Sequence, residues 1–145
     1  MSALFANRIL IAAVIAWFTA QTIKLVIELV RNHRVDLRYL ASPGGMPSAH
    51  SALVTSLATS LWRQLGADSP EFALAAVFAA IVMYDAAGVR QAVGVQARIL
   101  NRMLDEIFTQ HAFSERRLRE LLGHTPLEVA AGCLLGVAVG IAATL

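Results

Sequence analysis

The sequence predicts an all-α integral membrane protein: a bundle of four transmembrane helices with an interfacial amphipathic helix between the third and fourth. Three observations predict it. Of 145 residues, 57% are hydrophobic, against about 45–50% in soluble domains. Only 15% are charged, and they cluster. The apolar residues fall into four runs, each near the ~20 residues that cross a bilayer as helix. Backbone N–H and C=O groups cannot stay unpaired in lipid, so each run is read as helix. A single membrane-embedded domain, 1–145, accounts for the length. Cys133 is the only cysteine, so no disulfide framework or thiol-rich metal cluster is expected.

The first run extends from about Ala3 to Val30, with Arg8 near its start and Lys24 and Glu28 near its end. It is too long for a cleavable signal, lacks a small-residue cleavage site, and continues into charged helix. The second is Ser48 to Leu65 and the third Phe72 to Val89. The short turn Gly66-Ala67-Asp68-Ser69-Pro70 makes them a tight antiparallel pair. The fourth, Leu127 to Leu145, carries Gly132, Gly136 and Gly140 at four-residue spacing. Such a ridge permits close helix contact. An internal partner is the expected one; a second copy, giving a homo-oligomer, is the alternative.

A polar stretch from Arg90 to His124 separates the last two runs. Within it Ile99, Leu100, Met103, Leu104, Ile107 and Phe108 recur at helical spacing, with Arg98, Arg102, Asp105 and Glu106 elsewhere. That pattern fits a helix lying in the membrane interface, or one packed on the span ends. A short helix, Glu115 to Leu122, follows.

With four spans, loops 24–47 and 90–126 share one side. They hold ten of the twelve basic residues; only Arg8 and Arg63 lie opposite. The positive-inside rule puts both loops in the cytoplasm and both termini outside, in the cell (inner) membrane.

The ionisable and donor groups near that cytoplasmic boundary are Lys24, Arg31, Ser48, His50, Asp85, Arg90, His124 and Glu128. Charges at such depth need partners or a job. Lys24, Glu28 and Arg31 form one helix stripe. They make either an intrahelical ion set or two cations projecting into an anion pocket. Gly44-Gly45-Met46-Pro47-Ser48 precedes the second helix. Glycine lets the turn close tightly, proline suits a first helical turn, and the free N–H groups of a helix start attract anions. Ser48 adds a hydroxyl, and His50 stands in the first turn. Thr125 and Glu128 have capping-box spacing, with Pro126 between. Glu128 therefore either caps the fourth helix or orients His124, four residues before it. Asp85 and Arg90 bracket Gly88, as a closing salt bridge or with Arg90 on the same anion. Two histidines, three cations and possible orienting carboxylates are the inventory for phosphoryl transfer through histidine: one imidazole attacks phosphorus and the other protonates the leaving oxygen. A metal site from His50, Asp85, His124 and Glu128 has suitable ligand types but lacks tight spacing.

Lys24-(six residues)-Arg31, Pro47-Ser48-Ala49-His50 and His124-(three residues)-Glu128 together resemble the type 2 phosphatidic acid phosphatase and vanadium haloperoxidase superfamily. GGMPSAHSA, YDAAGVR and LLGHTPLEVAAG are most similar to its divergent acid-phosphatase-related branch. The resemblance implies that Lys24, Arg31 and Arg90 bind phosphate, assisted by Ser48 and backbone N–H groups such as that of Gly45. It makes His50 the general acid, His124 the nucleophile and Glu128 its orienter, with Asp85 in support. It implies no metal or other cofactor, and inhibition by vanadate. The chain departs from the superfamily pattern in Asn32 after Arg31 in place of proline, Ala49 in place of glycine, and Glu128 where aspartate is usual. Leu118 stands where an arginine is carried, and Arg90 is assigned that role, with residues 91–123 as an insertion.

The expected function is a metal-independent lipid phosphate phosphatase at the cytoplasmic face, acting on substrates of the phosphatidylglycerol phosphate or polyprenyl diphosphate type. A catalytically silent scaffold that binds anionic lipid is the alternative. The expected partners are the lipid phosphate and the bilayer, with no nucleic acid.

Overall fold

The structure, a computed structural model, describes residues 6–32, 45–107 and 124–145, with the side chains of residues 32, 89–91 and 105–107 outside the description. All regular structure among the described residues is helical: α1 (Arg8–Asn32), α2 (Ala49–Leu65), α3 (Pro70–Ala87), α4 (Val89–Ile107) and α5 (Pro126–Ala143). The expected short helix at 115–122 lies outside the described residues.

Local chemistry sets the helix ends. The Asn7 side chain accepts from the Leu10 amide at 3.1 Å, near the start of α1. Ser48 caps α2 by accepting from the Ser51 amide at 3.3 Å. Gly66 ends α2 at φ 93°, where a side chain would be strained. Ser69 then caps α3, with Pro70 in its first turn. The expected antiparallel pair thus forms through this turn. At Gly88 the ladder continues in both directions: its N–H donates to Tyr84 O at 2.8 Å, and its C=O accepts from Ala92 N at 3.0 Å. The amphipathic helix α4 therefore leaves α3 after one residue, and α3 is the only described helix it touches.

α2 is the central helix, in contact with α1, α3 and α5, while α1 also touches α5. The buried surface is made of small residues. Ala16 and Ala20 of α1 meet Ala49 and Ala52 of α2, with Trp17, Leu135 and Val139 against the cluster. Gly132, Gly136 and Gly140 are buried along α2. A Cβ at Gly132 would strike the Ser48 carbonyl, one at Gly136 the Thr55 hydroxyl and Ala52 carbonyl, and one at Gly140 Thr59 and the Ser56 carbonyl. The ridge is spent on a partner within the chain. This ascending register makes α5 parallel to α2. The Ala16–Ala20 contacts, with Lys24 beside Gly45, make α1 antiparallel to it. The start of α1 and the end of α5 therefore lie at the same end of the bundle.

The large apolar side chains point outward: Leu74 is 74% and Leu134 72% exposed, and Phe18, Val77, Phe78 and Ile81 are also exposed. Water would drive such groups inward. In lipid there is no such drive, and helices associate by close contact of small residues. Thr19 and Thr22 satisfy their hydroxyls on the carbonyls of Ile15 and Phe18, at 2.8 and 2.9 Å, so α1 presents no unpaired hydroxyl there.

Among the described residues, three stretches are long and apolar enough to cross a membrane: Arg8–Arg31, Pro70–Leu104 and Pro126–Ala143. The sequence predicts four. The second expected span, α2, has only 17 residues, and Ser51, Thr55, Ser56, Thr59 and Ser60 dilute its apolar character. Those five residues are buried against neighbouring helices rather than offered to lipid.

Candidate functional site

The expected site residues lie at one end of the bundle, where α1 and α3 end and α2 and α5 begin. Three main-chain and turn contacts assemble it. The Ser48 N–H donates to Glu128 O at 2.9 Å, which joins the starts of α2 and α5. The His124 N–H donates to Ala86 O at 3.1 Å, which adds the end of α3. Gly45, at φ +81°, lies beside the Lys24 side chain, where an added Cβ would stand 3.9 Å from Lys24 Cδ. Lys24 follows Ala20 by one helical turn, so the packing of Ala20 in the cluster with Ala49 and Ala52 carries it toward that end.

Among the described residues His124 is the largest fully buried side chain, at 2% exposure. Its Nδ1 lies 3.1 Å from Glu128 Oε2. An ionised carboxylate only accepts, so the ring nitrogen facing it is the one that bears hydrogen. In the neutral ring, Nε2 is then the nitrogen without hydrogen. The same Oε2 accepts from the Thr125 amide at 3.0 Å, while Thr125 Oγ1 accepts from the Glu128 amide at 3.3 Å. Glu128 thus closes the capping box of α5 and lies against the His124 ring through the same oxygen. Lys24 is near enough to Glu128 for their charges to attract.

Ser48 is buried, and its Oγ accepts from both the amide and the hydroxyl of Ser51, at 3.3 and 3.0 Å. His50 stands two residues further on in the first turn of α2 and is exposed. Asp85, half-buried, precedes the Ala86 carbonyl that holds the His124 amide. Arg31 is exposed near the end of α1. The side chain of Arg90 lies outside the described residues. Among the described residues no three His, Cys, Asp or Glu side chains group as a metal ion would require.

Two residues at this site were not singled out for it by sequence reasoning. Gly132 leaves the space that the Ser48 carbonyl occupies; its place at the head of the glycine ridge was the available signal. Thr125 was read only as a cap, and its tie to the imidazole through one shared oxygen is a tertiary fact.

The chain is 39% identical to an uncharacterized membrane protein, YuiD, of Bacillus subtilis (strain 168), with 92% of each chain covered. No solved structure matches. The profile of the Divergent PAP2 family matches residues 5–139, nearly the whole chain. This membrane protein therefore belongs to the Divergent PAP2 family.

Proposed function

We propose that the chain is a membrane lipid phosphate phosphatase working through a phosphohistidine. The observation that carries this reading is the buried His124 imidazole, held at Nδ1 by Glu128 at 3.1 Å beside the Lys24 cation. A histidine so held directs Nε2 as a nucleophile. Its lone pair forms the N–P bond as the P–O bond to the lipid breaks. His50 gives its proton to the departing oxygen. Water, deprotonated by the same imidazole, then attacks phosphorus; phosphate leaves and His124 is regenerated. Lys24, Arg31 and Arg90 bind the equatorial oxygens, with Ser48 and the N–H groups of the turn at Gly45. Ser48 accepts twice from Ser51, which leaves its own O–H to donate to an oxyanion. Asp85 supports the cations. No metal or cofactor takes part.

In the membrane, α2 crosses as a fourth helix enclosed by α1, α3 and α5, and α4 lies in the interface. The basic loops place the site in the cytoplasm and both termini outside. A cytoplasmic site favours lipids made on that leaflet, of the phosphatidylglycerol phosphate or polyprenyl diphosphate type.

The test is phosphate release from a panel of lipid phosphates by purified protein in chelator, with and without vanadate. Wild type releases phosphate and vanadate stops it, while His124→Ala is inactive. Lipid binding that survives His124→Ala, with no turnover by wild type on any substrate, would favour the silent scaffold instead.

A further inference from the structure

Between Ala49 and Ser60 every residue of α2 is buried except His50, Leu53 and Leu57. Those three, with half-buried Leu61 one turn further, stand three or four residues apart and so form one stripe. Ala49 and Ala52 pack on α1. Ser51, Thr55 and Thr59 face the glycines of α5, and the stripe lies on the opposite side of the helix from them. α5 touches both α1 and α3, yet among the described residues α1 and α3 do not touch each other. The helices around α2 thus leave an opening between α1 and α3, and the stripe is its floor.

The groove has a polar head and an apolar body. His50 heads it, in the first turn of α2 beside the Ser48–Glu128 corner. The rest of its floor is leucine. From His50 to Leu61 the helix rises about 16 Å, close to one leaflet's share of a ~30 Å hydrocarbon core. In phosphoryl transfer the attacking and leaving atoms lie roughly in line. A lipid attacked by His124 therefore departs from the far side of phosphorus, and its leaving oxygen carries the hydrocarbon chain. The acid that protonates that oxygen stands next to the chain. His50 holds this role in the proposed function, and it heads the leucine stripe.

We infer that the groove between α1 and α3 seats the hydrocarbon chain of the lipid phosphate along Leu53, Leu57 and Leu61, and admits it sideways from the bilayer. This deepens the phosphatase reading and rests on it for the phosphate end. Lipid tails are as apolar as leucine, so a chain gains little by moving from the bilayer into the groove. The groove selects by shape and aims the phosphate, while the polar end supplies the affinity. A chain without phosphate has no reason to prefer it.

The full chain is placed in phosphatidylcholine nanodiscs with a photoreactive diazirine side chain at Leu57 or at Ile141. Ile141 is exposed on α5 at a similar depth, since Gly140 packs on the Ser56 carbonyl. The probes are radiolabelled hexadecyl phosphate and hexadecanol. Hexadecyl phosphate labels position 57 roughly tenfold more than position 141, and hexadecanol labels the two alike. In parallel, Leu57→Trp fills the groove and lowers phosphate release from hexadecyl phosphate, relative to butyl phosphate, by roughly tenfold. Ile141→Trp leaves that ratio as in wild type. Equal labelling of both positions by hexadecyl phosphate overturns the proposal, because position 57 then meets only bulk lipid. So does hexadecanol labelling with the same preference for position 57, or a wild-type ratio in Leu57→Trp. Should Leu57→Trp fail to fold, the labelling alone decides. Phosphate-dependent labelling of position 57, with no turnover by wild type, upholds the groove as a lipid phosphate seat and refutes the phosphatase reading.

Discussion

The main-chain amide of Ser48 donates to the main-chain carbonyl of Glu128 at 2.9 Å. Two helices that begin 77 residues apart by their N-caps, Ser48 and Thr125, thus share one rigid corner. Because neither side chain makes this bond, substitutions at either position change the chemistry of the corner without removing the tie.

The corner depends on the glycine ridge. Gly132→Ala and Gly136→Ala each force a Cβ onto α2 backbone or side-chain atoms. Each is expected to destabilise the bundle by about 1–3 kcal/mol, the usual cost of overfilling a tight contact. Leu134→Ala, on an exposed position of the same helix, should cost less than about 0.5 kcal/mol. Equilibrium unfolding in mixed micelles measures all three. A Gly136→Ala variant as stable as wild type would contradict the α2–α5 contact.

Gly45 separates strain from crowding. Its φ of +81° disfavours any side chain, yet an added Cβ meets nothing closer than Lys24 Cδ at 3.9 Å. Gly45→Ala should therefore cost about 1–2 kcal/mol through the backbone alone, and Gly45→Asn less, since asparagine tolerates that region. Thermal unfolding of the two variants beside wild type checks the order.

On the proposed function, Lys24 binds the phosphate of the substrate. Losing a charge-assisted bond costs about 1.5–3 kcal/mol, which is a rise in KM of roughly 10–100-fold. Steady-state phosphate release by Lys24→Ala should show that rise. Arg8→Ala, at the far end of α1, should leave KM unchanged. Equal effects from the two would remove Lys24 from the binding set.

The register of the helices fixes a topological expectation. α1 begins and α5 ends at the same end of the bundle, opposite the Ser48–Glu128 corner. Reporter fusions before Met1 and after Leu145 should therefore report one compartment, the outside by the charge count. A cysteine introduced at Gly45 should be labelled from the cytoplasm.

Much of the fold was legible because its signals are local. Thr125-Pro126 marks a helix start by capping chemistry, and α5 begins at that proline; α3 begins at Pro70, two residues before the run read from Phe72. Gly66 marks a helix end by its backbone freedom. The amphipathic spacing around Ile99 to Ile107 yielded α4, although its start, one residue past Gly88, was not evident. Other questions were closed to sequence reasoning. His124 lies outside α5, and spacing cannot say whether a residue before a cap folds back onto it. The hydroxyl residues of α2 looked compatible with a lipid-crossing helix, but their burial depends on three neighbours that no local pattern names.

Composition and spacing by themselves determined that this chain forms apolar helices and where most of them start and stop. Those features follow from hydrogen bonding and sterics within a few residues. The tertiary structure alone decided that the glycine ridge belongs to α2, that Glu128 serves the cap and the imidazole through one oxygen, and that Ser48 rests in the space left by Gly132. Each of these is a contact between segments distant in the chain, set by which small surfaces fit closely enough to touch.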